Sequence, residues 1–286
     1  MYKLEGLNNI NMNLIENLQV YDEYRWKYNL VRLFNSNNLL KRLMLWKNIK
    51  FLKVENEYVG FIWFDKLDRN RYKINSIKVM NNYNTAEYYN MLLSVIKRKS
   101  IITYNCASSE IEYYVLRNLG FEQRKTIIEM KTQLNGLYDL EADPKTSFFT
   151  FSKNKDERLR CVVQNKVFSD LSRYPINEGD IYFEENQKYY IDDGCIFIKY
   201  EEKVIGYGQI IVDNCKAYIV NFGILKEYRG KGFGKTLLKY LLNLSYNQNY
   251  KEIYLKCNEN NIIALELYKS MGFVKNQTIY ELYKIN

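Results

Sequence analysis

The chain contains no histidine. That excludes Ser-His-Asp and Cys-His catalysis, imidazole metal ligation and a histidine general base. Its five cysteines, Cys106, Cys161, Cys195, Cys215 and Cys257, form no CxxC pair, which removes zinc-ribbon and thioredoxin-type sites. An odd, scattered set fits reduced and mostly buried thiols in a cytoplasm. Nowhere is there an apolar run of the roughly 18 residues that a membrane-spanning helix needs. The opening MYKLEGLNNINMN lacks the apolar core of a signal peptide. No metal, no membrane and a cytoplasmic location are the expectations.

What is present is an ordinary globular composition. Hydrophobic residues make up 47% and charged residues 26% of 286 residues, a length that suggests two domains of about 150 residues. The formal net charge is +9, and the first 140 residues carry +7 of it, with 21 Lys+Arg against 14 Asp+Glu. Basic chains often meet nucleic acid, acidic substrates or anionic membranes. No basic run here is interleaved with a recognition motif, so nucleic-acid binding is a minor reading. Abundant Lys, Asn, Ile and Tyr with only two prolines match an AT-rich bacterial genome, which accounts for much of the lysine.

The polar stretch 133–147, QLNGLYDLEADPKTS, holds Gly136 and Pro144 and reads as a linker. It divides the chain into near-equal halves, 1–140 and 141–286, which contain a faint ordered repeat. Strands are expected at Glu57–Asp65 and Glu202–Asp213, then at Tyr72–Met80 and Ala217–Leu225. Helices Ala86–Lys97 and Gly234–Ser245 follow, then strands Ile101–Cys106 and Glu252–Cys257. Each half continues into a helix ending in Gly-Phe, LRNLGF at 116–121 and YKSMGF at 268–273, and a last strand, Thr126–Lys131 or Thr278–Lys284. Strands alternating with helices indicate an α/β (α+β) sheet architecture. Gly120 and Gly272 stand where a left-handed helix stop is common.

The most informative segment is Glu227–Thr236, EYRGKGFGKT. Gly230, Gly232 and Gly234 alternate just before a helix with a broad leucine stripe, Leu237, Leu238, Leu241, Leu242 and Leu244. Such glycines let backbone approach a ligand, and N–H groups at a helix N-terminus favour phosphate. Arg229, Lys231 and Lys235 add positive charge. A Walker A loop would need glycine where Arg229 stands, and a dinucleotide fingerprint would need it at Lys235. The pattern R-x-x-G-x-G at Arg229, Gly232 and Gly234 resembles motif A of the Gcn5-related N-acetyltransferases, the GNAT family. About thirty residues on, Asn261, Ala264, Tyr268, Gly272 and Phe273 match the family's N-x-x-A-x-x-x-Y-x-x-x-G-F. The resemblance covers roughly 150–286 well and 45–131 only as a degraded copy.

The resemblance implies two tandem GNAT-like domains, each a mixed, mostly antiparallel sheet flanked by helices. Residues 141–286 would be an acetyltransferase domain binding acetyl-CoA, and 1–140 a degenerate domain without the pyrophosphate motif. Backbone N–H groups from Arg229 through Gly230, Lys231, Gly232, Phe233 and Gly234 to Lys235 would hold the pyrophosphate. Backbone at Phe222 and Ile224 would pair with the pantetheine arm, the Phe222 N–H would polarise the acetyl carbonyl, and Asn261 would contact the arm. Tyr268 matches the family's general acid. The base stays open: the strand before the motif has no carboxylate, and Tyr218, Asp213, a water relay or an amine arriving deprotonated all remain. Cys257 reads as an apolar wall.

In the first half, Asn84-Thr85-Ala86-Glu87-Tyr88-Tyr89 stands opposite Arg229–Gly234, Leu116 opposite Tyr268 and Ser109 opposite Asn261. That half can then shape the substrate cleft or mediate assembly. The acceptor would be a primary amine of a small molecule or peptide, used by a monomer or homodimer. Within Tyr174–Gly194, Glu178, Asp180, Glu184 and Glu185 could hold a cationic amine or form a solvated loop. Tyr182 and Phe183 could stack or pack. The alternative to an enzyme is a non-catalytic CoA-binding regulator.

Overall fold

The structure is a computed structural model that describes residues 2–7, 11, 47–80, 85–169, 175–213 and 215–286. Asn84 and Tyr174, both used above, lie outside the described residues. Two compact units emerge. The first comprises Met1–Ile128, Asn258–Asn260 and Gln277–Asn286, the second Glu129–Cys257 and Asn261–Asn276. This division differs from a cut at residue 140: the second half's closing strand, Thr278–Lys284, belongs to the first unit, and the first half's closing strand, Thr126–Lys131, is divided, with Glu129 onward in the second.

In the first unit the strands are β1 (Tyr2–Gly6), β2 (Ile49–Val54), β3 (Glu57–Lys66), β4 (Arg71–Val79) and β5 (Ile101–Ala107). Beyond β5 comes the end of the chain: Ile279–Ile285 runs antiparallel to Ala107–Ile101. Helices α1 (Ala86–Leu93) and α2 (Ile111–Asn118) cover this sheet. Their buried residues Tyr89, Leu92, Leu93 and Leu116 share one core with Ile62, Ile74, Tyr104 and Leu282. Helix α1 stops four residues short of the expected Lys97, where the Ser94 hydroxyl donates to the Met91 carbonyl at 2.6 Å and closes the ladder.

In the second unit the strand order is β6-β11-β10-β9-β8-β7. These are β6 (Glu122–Gln133, of which Glu129 onward lies here), β7 (Thr146–Thr150), β8 (Tyr190–Tyr200), β9 (Lys203–Asp213), β10 (Lys216–Ile224) and β11 (Glu252–Asn258). Helices α3 (Glu157–Val167), α4 (Glu178–Glu185), α5 (Phe233–Asn247) and α6 (Ile262–Ser270) surround them, and β12 (Val274–Ile285) follows α6. The stretch read as a linker is tied down. Leu134 N–H donates to Lys251 O at 2.9 Å. The Asn243 side chain of α5 pairs with both backbone groups of Tyr138, at 2.7 and 2.8 Å. A side-chain amide thus does for this backbone what a neighbouring strand would do.

Strands β1, β2, β7 and β8 and helices α3 and α4 lie outside the repeat read from sequence. Among the described residues no helix is long and apolar enough to cross a membrane. Four cysteines are buried and Cys215 is exposed.

Candidate functional site

The site is organised by the divergence of β10 from β11. Their parallel pairing covers Ala217–Ile219 against Ile253–Leu255 and then stops. On the other side of β10, the antiparallel register with β9 jumps between Val220 and Gly223. Asn221 and Phe222 therefore form a bulge facing the opening. Asn221 has φ +50°, a left-handed conformation that asparagine tolerates better than most residues.

Alternation along the strands sorts side chains onto two faces. A Cβ on Gly208 would stand 2.6 Å from Leu241 Cδ1 and 3.4 Å from Phe222 Cδ2, so this face carries α5 and Phe222. The Tyr268 ring lies 6.1 Å from that of Phe222. A Cβ on Gly223 would stand 2.3 Å from Val167 Cγ1, so the opposite face carries α3. The register places Tyr218 beside Ile211 and Val220 beside Gln209.

After β10 a short 3-10 turn, Lys226–Tyr228, leads to the glycine segment. Gly230 and Gly232 have φ +75° and +86°, and a Cβ on either would meet nothing within 4 Å. Conformation, not crowding, requires glycine there, and the space above both is open. Gly232 is the N-cap of α5 and makes no side-chain cap, and the first turn has no acidic residue. The leading N–H groups of a long helix are left for an external acceptor, and an anion is the one they suit best. Lys231 and Lys235 are exposed beside them. This cradle fits a pyrophosphate.

Not every basic residue of the segment is available. Arg229 turns its guanidinium inward, Nε donating to Ile224 O and Nη2 to Val167 O, each at 2.8 Å. Its side chain fastens the end of β10 to the end of α3, and it occupies the Ile224 carbonyl. Phe233 is buried, with ring contacts to Tyr200 at 5.0 Å and Tyr228 at 6.3 Å.

Tyr268 is 7% exposed and packs on Phe222 and Phe273. Burial, with a smaller contribution from neighbouring Cys257, pushes its phenol well above the ordinary tyrosine range. The phenol stays protonated at neutral pH. Asn261 is the N-cap of α6, its Oδ1 accepting from Ala264 N–H at 3.3 Å, so its amide NH2 is the group left for a ligand. Burial raises the Cys257 thiol to about 11, which suits a wall residue rather than a nucleophile.

The acidic helix α4 differs in part from a set of free carboxylates. Asp180 closes a capping box with Asn177, and Glu184 pairs with fully buried Arg160. Arg160 Nη2 also donates to Gln209 Oε1 at 3.0 Å, Gln209 Nε2 to Glu184 Oε1 at 3.0 Å, and Asn221 Nδ2 to Gln209 Oε1 at 3.1 Å. This chain runs from α3 and α4 to the bulge and holds Asn221 in its unusual conformation. Arg160, Gln209 and Asn221 were missed in the sequence. The available signal was Gln209, a lone amide inside the apolar strand IGYGQIIV. Replacing Glu184 by Ala strips a buried guanidinium of its anion. An equilibrium urea titration of Glu184→Ala should show a loss of about 3 kcal/mol. Tyr182 and Phe183 are exposed, at 42% and 70%, so the packing reading of both gives way.

The first unit differs from the second at the positions that correspond to this opening. There β4 and β5 pair in parallel only over Arg71–Ile74 and Ile101–Tyr104, repeating the divergence. Tyr89, opposite Gly234 in the repeat, donates its phenol to Glu112, opposite Ala264, at 3.0 Å. Lys78, which matches Gly223 because Val79 and Ile224 pair alike with Gly60 and Gly206, donates to Glu112 at 3.1 Å. Two glycines and an alanine are thus matched by a hydrogen-bonded triad in which Tyr89 and Glu112 are buried and Lys78 is half-buried. Calorimetric titration of acetyl-CoA is expected to give one site per chain.

The profile of the Acetyltransferase (GNAT) family matches residues 165–273. The chain is similar to a probable spermine N(1)-acetyltransferase of Bacillus subtilis subsp. natto, 31% identical over 117 residues that cover 35% of this chain and 77% of that protein. Among solved structures it resembles a GCN5-related N-acetyltransferase from Sphaerobacter thermophilus, with TM-score 0.74, 13% identity and coverage of 99% and 95%. It also resembles a tandem GNAT protein from the clavulanic acid biosynthesis pathway, with TM-score 0.65, 10% identity and coverage of 99% and 98%. At such identities the structural likeness concerns the fold.

Proposed function

Because the chain belongs to the GNAT acetyltransferase family and is an N-acetyltransferase, we propose that its second unit moves the acetyl group of acetyl-CoA directly onto a primary amine of a small molecule or peptide. One observation carries this reading: an uncapped helix N-terminus, opened by two positive-φ glycines, stands at the end of a strand that has parted from its neighbour.

Acetyl-CoA would supply an activated thioester carbonyl and a thiolate leaving group. The chain's own groups do the rest. N–H groups from Gly230 to Lys235 hold the pyrophosphate, with Lys231 and Lys235 adding charge. Backbone of the bulge at Phe222 takes the pantetheine arm, and Ile224 contributes its N–H, since its carbonyl is engaged by Arg229. The Phe222 N–H polarises the carbonyl, a type of contact whose loss typically costs 10²- to 10³-fold in rate. Tyr268 keeps a proton for the departing sulfur. The amide of Asn261 contacts the arm.

The test is thiol release from acetyl-CoA by the intact chain with a panel of primary amines, including spermine and a short peptide with a free α-amine. Turnover with at least one amine supports the reading. Tight acetyl-CoA binding without turnover on any amine favours a non-catalytic CoA-binding regulator.

A further inference from the structure

The strand that ends at the divergence carries no carboxylate, yet a buried one stands against it. Glu129 of β6 is 1% exposed. Its Oε1 accepts from Asn276 Nδ2 at 2.7 Å. Its Oε2 accepts from the Tyr218 phenol at 3.5 Å and lies 3.6 Å from Lys256 Nζ. Tyr218 pairs with Tyr254 one residue before the last β10–β11 pair, so the pair marks the vertex of the opening. Tyr218 shares its face with Gln209, away from α5 and Phe222. A proton donor at Tyr268 and a proton acceptor at Tyr218 would then approach a thioester from opposite faces.

We propose that Glu129 and Tyr218 together form the proton-accepting group of the acetyl transfer, an inference that rests on the reading given above. A protonated amine, R–NH3+, gives one proton to Tyr218 Oη as the phenol's proton moves to Glu129 Oε2. The freed lone pair forms the N–C bond, and the C–S bond breaks with its electron pair going to sulfur. Sulfur takes the Tyr268 proton, and the surplus proton on the new amide nitrogen restores Tyr268 through water. Glu129 then returns its proton to solvent on the side of half-exposed Lys256, leaving one proton released per turnover. Tyr218 stays neutral throughout, which matters because burial and neighbouring Glu129 push its phenol far above the ordinary range. The 3.5 Å contact is of the length common before a substrate tightens a catalytic site.

Charged and titratable groups reach this pair from several strands. From β10 come Tyr218 and, beyond the turn, Asp213 of β9. From β11 come Lys256 and Tyr254, whose phenol donates to Glu252 at 2.7 Å. Lys131 of β6 pairs with Glu252 at 3.1 Å, and Lys216 lies over the Tyr254 ring at 5.4 Å. Asn276 is the neutral partner from the start of β12.

The experiment uses the full chain, Glu129→Gln and Tyr218→Phe, with spermine and an α-amino peptide as acceptors from pH 6 to 10. Acetyl-CoA affinity should stay within about twofold by calorimetry, while kcat falls about 10²-fold at pH 7. The variants' rates should climb about tenfold per pH unit until the amine deprotonates itself, and the parent's should level off earlier. In the ligand-free protein, the 13C resonance of the Tyr218 ring, identified by its loss in Tyr218→Phe, should move in Glu129→Gln. Should Glu129→Gln fail to fold, Tyr218→Phe alone must show the altered pH profile, since it leaves the Glu129–Lys256 pair in place. Unchanged kcat and pH profile in folded variants that bind acetyl-CoA would overturn the proposal alone. Failure of the parent to bind acetyl-CoA would overturn it together with the reading beneath it.

Discussion

A fragment of residues 141–286 is expected to be insoluble and to bind no acetyl-CoA, although it contains both matched motifs. The second unit begins at Glu129. Cutting at 141 removes the part of β6 that flanks β11, together with Met130, Thr132 and Leu134, which are 1%, 7% and 4% exposed. Burial of Met130 and Leu134 alone stabilises by about 1.5–3 kcal/mol each, a large share of the 5–15 kcal/mol typical of a whole domain. The cut also leaves β11 with an open edge, which invites pairing between chains. Meanwhile the fragment keeps Ile279–Ile285, whose partner β5 it lacks, and so exposes Leu282, fully buried in the intact chain. Residues 129–276 should yield more soluble protein than 141–286 under the same expression conditions. Soluble, monomeric 141–286 with the affinity of the full chain would show that the exchanged strands contribute nothing to the second unit.

The exchange also explains what could and could not be read from the sequence. Element order, the strand-turn-helix around Gly230–Gly234 and the Gly-Phe helix stops were legible, because each rests on local rules: glycine conformation, leucine periodicity and helix capping. The closing strands Thr126–Lys131 and Thr278–Lys284 were seen as strands, but their sheet partners were not. Pairing of distant strands is decided by tertiary packing, and TIIEMKT and TIYELYK are near-equivalent β-formers. The roles of Arg229 and Asn261 were partly hidden for the same reason. Motif position puts Arg229 in the expected phosphate loop, but only the fold shows its guanidinium turned onto the Ile224 and Val167 carbonyls. Glu129 left a faint mark, a carboxylate between Ile128 and Met130 in an apolar strand, and no spacing rule links position 129 to position 218. The absence of the alternating glycines from the first half was legible directly. That Tyr89, Glu112 and Lys78 form a hydrogen-bonded triad at the matching positions required the structure.

Replacing Gly234 by Glu should weaken acetyl-CoA binding more than about 30-fold while leaving the fold at least as stable. Gly234 is the second residue of α5. A Cβ there would stand 3.6 Å from Leu267 Cδ2 and 3.9 Å from Ile224 Cγ1, ordinary contact distances, so the added Cβ displaces nothing. Glycine inside a helix costs up to about 1 kcal/mol against better helix formers. A carboxylate in the first turn gains a further 0.3–1 kcal/mol or so from the helix dipole. The variant's Tm is therefore expected to hold or rise. Binding goes the other way, since the new carboxylate competes for the N–H groups meant for phosphate. Each unit pair of like charges about 4 Å apart is opposed by about 4 kcal/mol at an effective dielectric near 20. Even with half of that screened, affinity should fall more than about 30-fold. Gly234→Ala is the control, with the same added Cβ and no charge, and should bind within a few-fold of the parent. Calorimetry on the three proteins, with thermal melts in parallel, separates the charge effect from any effect on folding. A Gly234→Glu protein that melts normally and binds acetyl-CoA as tightly as the parent would remove the α5 N-terminus as the pyrophosphate site, because no other change at that position opposes an anion so directly while sparing the helix.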